Sequence, residues 1–161
     1  MNKIIKLVIF SCLLIVNQAF TQGKSELISF SQLEEMLNEE SDNVYIVNFW
    51  ATWCGPCLAE LPAIQRFYEK NTDSTVKLLL VSFDFPNEIK KVNKFIERKN
   101  LKPKVYLISD TDQNAFIDKV SKNWQGTIPA TWFVNNHKNK KILIEKPLNE
   151  EEINRYLNEI K

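Results

Sequence analysis

The chain has 161 residues, of which 44% are hydrophobic and 25% are charged, and these values are typical of one soluble domain with a substantial core. Its 21 basic and 20 acidic residues nearly cancel, so neither nucleic acid nor an anionic membrane surface is expected as a partner. A structural zinc site needs four ligands, commonly Cys or His. The chain has three cysteines and the single His137, which lies in a lysine-rich turn, so no metal is expected.

Residues 1–22 have the pattern of a secretory signal peptide. Two lysines precede an apolar run from Leu7 to Val16, and the small residues Ala19 and Thr21 suit a cleavage site. The run is short for a permanent anchor, although an uncleaved membrane anchor and a lipid on Cys12 are alternatives. We therefore predict an exported, periplasmic protein whose single domain covers residues 23–161.

Strands and helices alternate in the first half of this domain. Leu27-Ile28 predicts a short edge strand, and Ser31 with Glu34 predicts the capping box of a first helix. The apolar run Val44–Ala51 predicts a central strand that is buried on both faces. The helix after it extends to about Asn71 and has one apolar face. That face consists of Leu58, Leu61, Ile64, Phe67 and Tyr68.

The second half continues the alternation and ends in a hairpin and a helix. Its elements are a strand at Val76–Phe83, a helix from Pro86 to Asn100, a strand at Val105–Ile108, a helix capped by Asp110 or Asp112, strands at Pro129–Val134 and Lys141–Glu145, and a helix capped by Asn149 with Glu152. This order predicts an α/β fold with a mixed sheet and helices on both of its faces.

A Cys-x-x-Cys motif stands where the central strand gives way to a helix. Gly55 and Pro56 separate Cys54 from Cys57, and two thiols at this spacing can close a small disulfide. The free N–H groups and positive dipole end of a helix favour thiolate at Cys54, and thiolate is the reactive form of cysteine. Half of a zinc site and a passive structural disulfide are the alternative interpretations.

Asn48 to Cys57, followed by Glu60-Leu61-Pro62, resembles the active site of the thioredoxin superfamily and of its TlpA-like branch of extracytoplasmic thiol–disulfide oxidoreductases. The most specific part is Trp53-Cys54-Gly55-Pro56-Cys57. The resemblance implies a thioredoxin fold with a TlpA-type strand–helix insert at about residues 101–122. It also implies that the redox-active disulfide Cys54–Cys57 carries the electrons without a metal or organic cofactor.

Thr127-Ile128-Pro129 resembles the loop that places a cis-proline opposite the active-site disulfide in this superfamily. An X–Pro bond adopts cis at modest cost, and a proline there leaves the neighbouring backbone free to pair with a substrate strand at residue 128. The alternative is an ordinary trans-proline at the start of a strand. Trp124, just upstream, either lines a protein-binding groove or packs in the core.

Asn48 departs from the buried Asp that cytosolic thioredoxins carry at this position. Because Asn cannot titrate, the proton of Cys57 must pass to water or to another carboxylate. Glu60 and Asp84 are candidates for proton transfer or tuning, while Glu60 could equally be a partner of the helix dipole. We expect Cys54 to be exposed, Cys57 to be shielded and Trp53 to be partly exposed.

The resemblance implies a protein-disulfide reductase that takes electrons from a membrane thiol donor and acts on exported thiol proteins, such as apocytochromes c. The Gly-Pro pair between the cysteines resembles the reducing members, and a monomer is expected. A disulfide-forming oxidase and a binding module with a permanent Cys54–Cys57 disulfide are the alternatives. A peroxidase of related fold is disfavoured because no Pro-x-x-x-Thr-x-x-Cys pattern ends at Cys54.

Overall fold

The computed structural model describes residues 23–161, in which five α-helices accompany a sheet of six strands. The elements in chain order are β1 Glu26–Ile28, α1 Phe30–Leu37, β2 Val44–Trp50, α2 Gly55–Lys70, β3 Val76–Ser82, a 3₁₀ turn Pro86–Glu88, α3 Ile89–Lys99, β4 Lys104–Ile108, α4 Gln113–Val120, β5 Ala130–Asn135, β6 Lys140–Ile144 and α5 Glu150–Ile160. The predicted signal segment lies outside the described residues, so the domain boundary at residue 22 stays a prediction.

The strand order across the sheet is β1-β4-β3-β2-β5-β6. The first four strands in this order are parallel, β5 runs antiparallel to its neighbour β2, and β6 runs antiparallel to β5, which confirms the predicted mixed sheet. All seven residues of β2 are buried, so helices cover both faces of the sheet at its centre. Phe49 near the end of β2 pairs with Ala130 at the start of β5, which brings the segment before β5 to the end of β2.

The predicted insert contains β4 and α4, and β4 lies between β1 and β3. The ring of Phe116 on α4 makes edge-to-face contacts with Phe30, Phe49 and Phe83, whose centroids lie 5.4, 6.0 and 5.7 Å away. Trp124 packs on Phe49 at 4.8 Å. These five rings form an aromatic cluster at the end of β2, and such contacts add to the stabilisation that burial alone provides.

The first helix begins earlier than the sequence predicts. Ser29 and Gln32 form its capping box, so the predicted box of Ser31 and Glu34 is wrong. The reason lies in Phe30, which is only 4% exposed and belongs to the aromatic cluster. A helix that begins at Phe30 directs this ring into the core, and such burial is worth more than either cap.

The buried stripe of α2 differs from its predicted apolar face at both ends. Tyr68 is 40% exposed and Leu58 is only half-buried. The stripe instead runs through Cys57, Glu60, Leu61, Ala63, Ile64 and Phe67. The apolar pattern could not reveal this, because the stripe includes a carboxylate.

Asn149 is expected to stabilise α5 through its cap. Its side chain accepts a hydrogen bond from Glu152 N at 2.9 Å, and the Glu152 carboxylate accepts one from Asn149 N at 3.0 Å, as the sequence predicts. Asn149→Ala should lower the free energy of unfolding by about 1 kcal/mol, measured by chemical denaturation. Asn158→Ala, on the exposed face of the same helix, is the control and should change it by less than about 0.5 kcal/mol. Equal losses in the two variants would contradict the capping role.

Candidate active site

The turn from β2 to α2 presents Cys54 as the N-cap of the helix. Cys54 N donates to Ala51 O at 3.2 Å, which closes the turn, and Cys54 Sγ accepts from Cys57 N at 3.2 Å. Pro56 lies in the first helical turn, where its missing N–H leaves no bond unmade. The start of α2 therefore directs both an N–H group and the positive end of the helix dipole at the first sulfur.

Cys54 and Cys57 form a disulfide with an S–S distance of 2.03 Å and a Cα–Cα distance of 5.3 Å. Cys57 is 1% exposed, as predicted, but Cys54 is only 5% exposed, so the prediction of an exposed first cysteine is wrong for the disulfide form. Its sulfur lies 3.7 Å from Ile128 O, and the backbone of this neighbouring loop shields it. Trp53 is 62% exposed and projects at the entrance of the site, as predicted.

The Ile128–Pro129 peptide bond is cis, which confirms the prediction and excludes the trans alternative. Pro129 is buried, Ile128 is half-buried and Thr127 is exposed. Since Ile128 O contacts Cys54 Sγ, the structure brings the three predicted docking residues together with the disulfide.

Trp124 packs in the core and does not line a groove. It is 2% exposed, and its Nε1 donates to Thr127 O at 3.0 Å. Gly126, between the two, has a φ of +75°, and a Cβ there would lie 2.6 Å from Ile117 Cδ1. The loop before Pro129 therefore depends on a buried indole, which was one of the two expectations for Trp124, and on a glycine that the sequence analysis did not single out.

A buried polar cluster lies beside the disulfide, one helical turn into α2. Asn48 Nδ2 donates to Thr131 Oγ1 at 3.0 Å and to Glu60 Oε2 at 3.3 Å. The other carboxylate oxygen, Glu60 Oε1, accepts from Leu148 N at 2.9 Å. Two strands and one helix contribute side chains to this cluster, and the contact between Asn48 and Glu60 was not predicted from the sequence.

Glu60 is 3% exposed, so it is not the surface carboxylate of the alternative interpretation. Burial raises its pKa to about 7, although the hydrogen bonds from Leu148 N and Asn48 oppose the rise. Cys57 and Glu60 stand three residues apart on α2, and residues at this spacing are neighbours on one face of a helix. A carboxyl with a pKa near 7 can gain or lose a proton at neutral pH, so Glu60 keeps its place as a candidate for proton transfer.

Asp84 is completely buried, and its carboxylate holds the active-site turn to the end of β3. Oδ2 accepts from Thr52 N at 2.8 Å and from Ser82 Oγ at 2.7 Å, and Oδ1 accepts from Thr52 Oγ1. These contacts engage Asp84 with the backbone ahead of Cys54 and make it a positioning residue. The next residue, Phe85, is 63% exposed and was not identified from the sequence.

The structure also bears on the zinc interpretation and on membrane insertion. The two sulfurs are bonded to each other, and His137 is exposed in the hairpin turn, 3.8 Å from Asp42. Within residues 23–161, no three His, Cys, Asp or Glu side chains are grouped as metal ligands. Over the same residues, none of the helices has the length and apolar character needed to cross a bilayer.

Comparison with known proteins places this geometry in a family. The AhpC/TSA family matches residues 18–142. Thiol-disulfide oxidoreductase ResA of Oceanobacillus iheyensis is 30% identical over 115 residues, which cover 71% of this chain and 56% of that protein. ResA of Geobacillus kaustophilus is 30% identical over 129 residues, or 80% of this chain and 69% of that protein.

Solved structures agree on the fold. A thioredoxin-related protein from Neisseria meningitidis serogroup B superposes with a TM-score of 0.67 at 22% identity, over 76% of this chain and 87% of that one. The chain therefore has the thioredoxin fold with the Cys-x-x-Cys pair of the thiol–disulfide oxidoreductases. It belongs to the AhpC/TSA family within the thioredoxin superfamily and is similar to the ResA proteins.

Proposed function

We propose that this chain is an extracytoplasmic thiol–disulfide oxidoreductase that reduces disulfides in client proteins. The observation that carries the proposal is the Cys54–Cys57 disulfide at the N-terminus of α2, in contact with the backbone carbonyl of Ile128 beside a cis-proline. The reactive cysteine pair thus lies beside a backbone segment with which an extended polypeptide can pair.

Cys54 begins the reaction in the reduced protein. Its thiolate attacks one sulfur of a client disulfide, which forms a Cys54–client mixed disulfide and releases the other client sulfur as a thiolate that takes a proton. The N–H of Cys57 and the dipole of α2 stabilise the thiolate of Cys54 before the attack.

Cys57 completes the transfer. It loses its proton, attacks Cys54 Sγ, restores the Cys54–Cys57 disulfide and releases the second client thiolate, so that the client gains two electrons in all. Glu60 is the proposed acceptor of the Cys57 proton, because its pKa of about 7 lets it accept and return a proton near neutral pH. Asn48 orients the carboxylate through its hydrogen bond to Glu60 Oε2, Thr131 holds the Asn48 amide, and both residues stay neutral themselves.

The client lies across the loop that holds the cis-proline. Pro129 cannot donate, so the backbone of Ile128 and Thr127 is what remains to pair with an extended client segment. Trp53 and Phe85, the two most exposed large apolar side chains of the described residues, offer apolar contact at the same end of the sheet.

The remaining parts of the proposal rest on the resemblance and on the relatives. The electrons come from a membrane thiol donor, the protein acts as an exported monomer, and the clients belong to cytochrome c maturation or to thiol homeostasis. The ResA relatives are named thiol-disulfide oxidoreductases, which supports the chemistry but names no client.

The reduction potential of the Cys54–Cys57 couple tests the direction of transfer. We expect about −250 mV or lower on equilibration with a dithiothreitol series, and the reduced protein should cleave the interchain disulfides of insulin. A potential near about −120 mV would make the protein a disulfide-forming oxidase. A bond that neither equilibrates with dithiothreitol nor turns over insulin would mark a permanent structural disulfide and refute the proposal.

A further inference from the structure

A groove of about 440 Å³ opens beside the active-site turn, against the exposed side of α3. Thr52, Phe95 and four cations line it, the cations being Lys90, Lys91, Lys94 and Arg98. Thr52 is two residues ahead of Cys54, so the groove begins at the reactive turn itself. We call it the basic groove.

Most of the positive charge in the basic groove is not neutralised within the described part of the chain. Lys91 alone has carboxylate partners, Glu88 at 2.9 Å and the buried Asp84 at 3.6 Å. Lys90, Lys94 and Arg98 form no ion pair with residues 23–161, and the Arg98 guanidinium lies 5.3 Å from the centre of the Phe95 ring. Both carboxylates that pair with a cation of the groove, Glu88 and Asp84, are thus engaged by the same lysine.

The arrangement of these cations is unfavourable for the isolated helix. Lys90, Lys94 and Arg98 follow one another at a spacing of four, which stacks like charges along one side of α3. Lys90 and Lys91 also lie in the first turn, near the positive end of the helix dipole. A bound anionic group would relieve both effects.

We propose that the basic groove binds an acidic segment of the client protein, close in the client's sequence to the cysteine that reacts with Cys54. The proposal rests on the function proposed above and specifies the clients that this site prefers. From Lys90 to Arg98 the helix rises by about 12 Å, which matches about four residues of extended polypeptide. Because the groove starts at Thr52, a segment held there continues directly into the site of exchange.

Peptide substrates test the proposal without any variant. Three peptides carry the same internal disulfide, followed by four residues that are all acidic, all their neutral amides or all lysine. The wild-type protein should reduce the acidic peptide with a kcat/KM about tenfold above that of the neutral peptide at low ionic strength, and the lysine peptide should be slowest. The preference should shrink at 0.5 M salt, because salt screens exposed charges.

Charge-reversal variants test whether the cations of the basic groove cause the preference for the acidic peptide. In the K90E/K94E/R98E variant, the order of the peptides should invert while reduction of the neutral peptide stays within about twofold of wild type. That peptide also reports whether the variant is folded and competent. The single variant K94E, which changes one charge, should weaken the preference without inverting it.

The control variant is K77E/K138E/K140E, which changes the charge by the same amount at the far end of the sheet. Lys77 is the second residue of β3, and Lys138 and Lys140 lie in and after the hairpin turn that follows β5. Strands here place these residues roughly 17 Å or more from the end of β2. The control should keep the acidic preference of the wild type.

Three results would overturn the proposal. If the wild type reduces the acidic and neutral peptides at equal rates, the basic groove does not bind acidic client segments, while the proposed reductase activity still stands. Binding to phosphatidylglycerol vesicles that is lost in the triple reversal, with no peptide preference, would assign the surface to anionic lipid. If the control variant also loses the preference for the acidic peptide, that preference arises from the net charge of the protein and not from the basic groove. Failure to reduce any peptide or insulin would instead refute the proposed function.

Discussion

The Cys57→Ser variant is expected to accumulate a covalent complex with its clients. Cys54 can still attack, but no second thiol remains to release the mixed disulfide, so turnover should fall by about 10³-fold or more. The complex should appear as a band of higher mass on non-reducing gels and disappear with dithiothreitol. Because Cys57 is only 1% exposed, we expect an incoming client sulfur to meet Cys54 first.

Two further serine variants complete this experiment. Cys54→Ser should lose turnover to the same extent and form no complex, because the attacking sulfur is gone. Cys12→Ser is the matched control and should behave as wild type in the full chain. A complex formed by Cys54→Ser and not by Cys57→Ser would reverse the roles of the two cysteines.

Glu60→Gln is expected to remove a pH-dependent loss of stability from the oxidised protein. The pKa of Glu60 is about 7 in the folded protein, against an ordinary value of 4.5. The unfolded chain therefore ionises first as the pH rises, and the stability contributed by the protonated carboxyl is lost between about pH 4.5 and pH 7. The loss is of the order of 3 kcal/mol, from about 1.4 kcal/mol for each pKa unit.

The measurement is chemical denaturation of the oxidised protein at pH 4 and pH 8. The wild type should lose more stability than Glu60→Gln between these two values. Asn48 Oδ1 has no hydrogen-bond partner in the described structure, so a turn of the Asn48 amide can present this oxygen to the new Gln amide and keep the cluster bonded. Glu69 is an exposed carboxyl on α2, and Glu69→Gln is the control. The free energy of unfolding of this variant should fall between pH 4 and pH 8 by as much as that of the wild type.

The same variant tests the proposed proton transfer. Release of the mixed disulfide should accelerate as the pH rises through about 7 in the wild type, where Glu60 becomes able to accept a proton, and this limb should be absent in Glu60→Gln. An unchanged pH profile would show that Glu60 is structural and that water takes the proton.

The central features of the site were predictable because they are local in sequence. A β-branched run ending at the Cys-x-x-Cys predicts strand, turn and helix, and Ile128 before Pro129 predicts the cis bond by resemblance; the structure has both. Among the sequence-based predictions that were wrong are the first helix cap and the exposure of Cys54. In each case a tertiary contact decides, namely the burial of Phe30 and the proximity of Ile128 O.

The tuning of the site could not be predicted, because it depends on distant partners. Glu60 owes its position to Leu148 N, 88 residues away in sequence, and only the fold reveals that this carboxyl is buried. From its position at the end of β3, Asp84 was a candidate for proton transfer or for tuning of the site. The structure shows that it holds Thr52 and fixes the turn.

The position of β4 in the sheet has a consequence for the order in which the domain assembles. Glu26 of β1 pairs with Tyr106 of β4, and 80 residues separate them in the chain. This strand of three residues is synthesised before its partner and has to wait, unpaired, until β4 has been made. Its brevity limits the open backbone it offers to other chains in the meantime. We therefore expect the strand at the beginning of the domain to join the sheet late, after β2 has paired with β3.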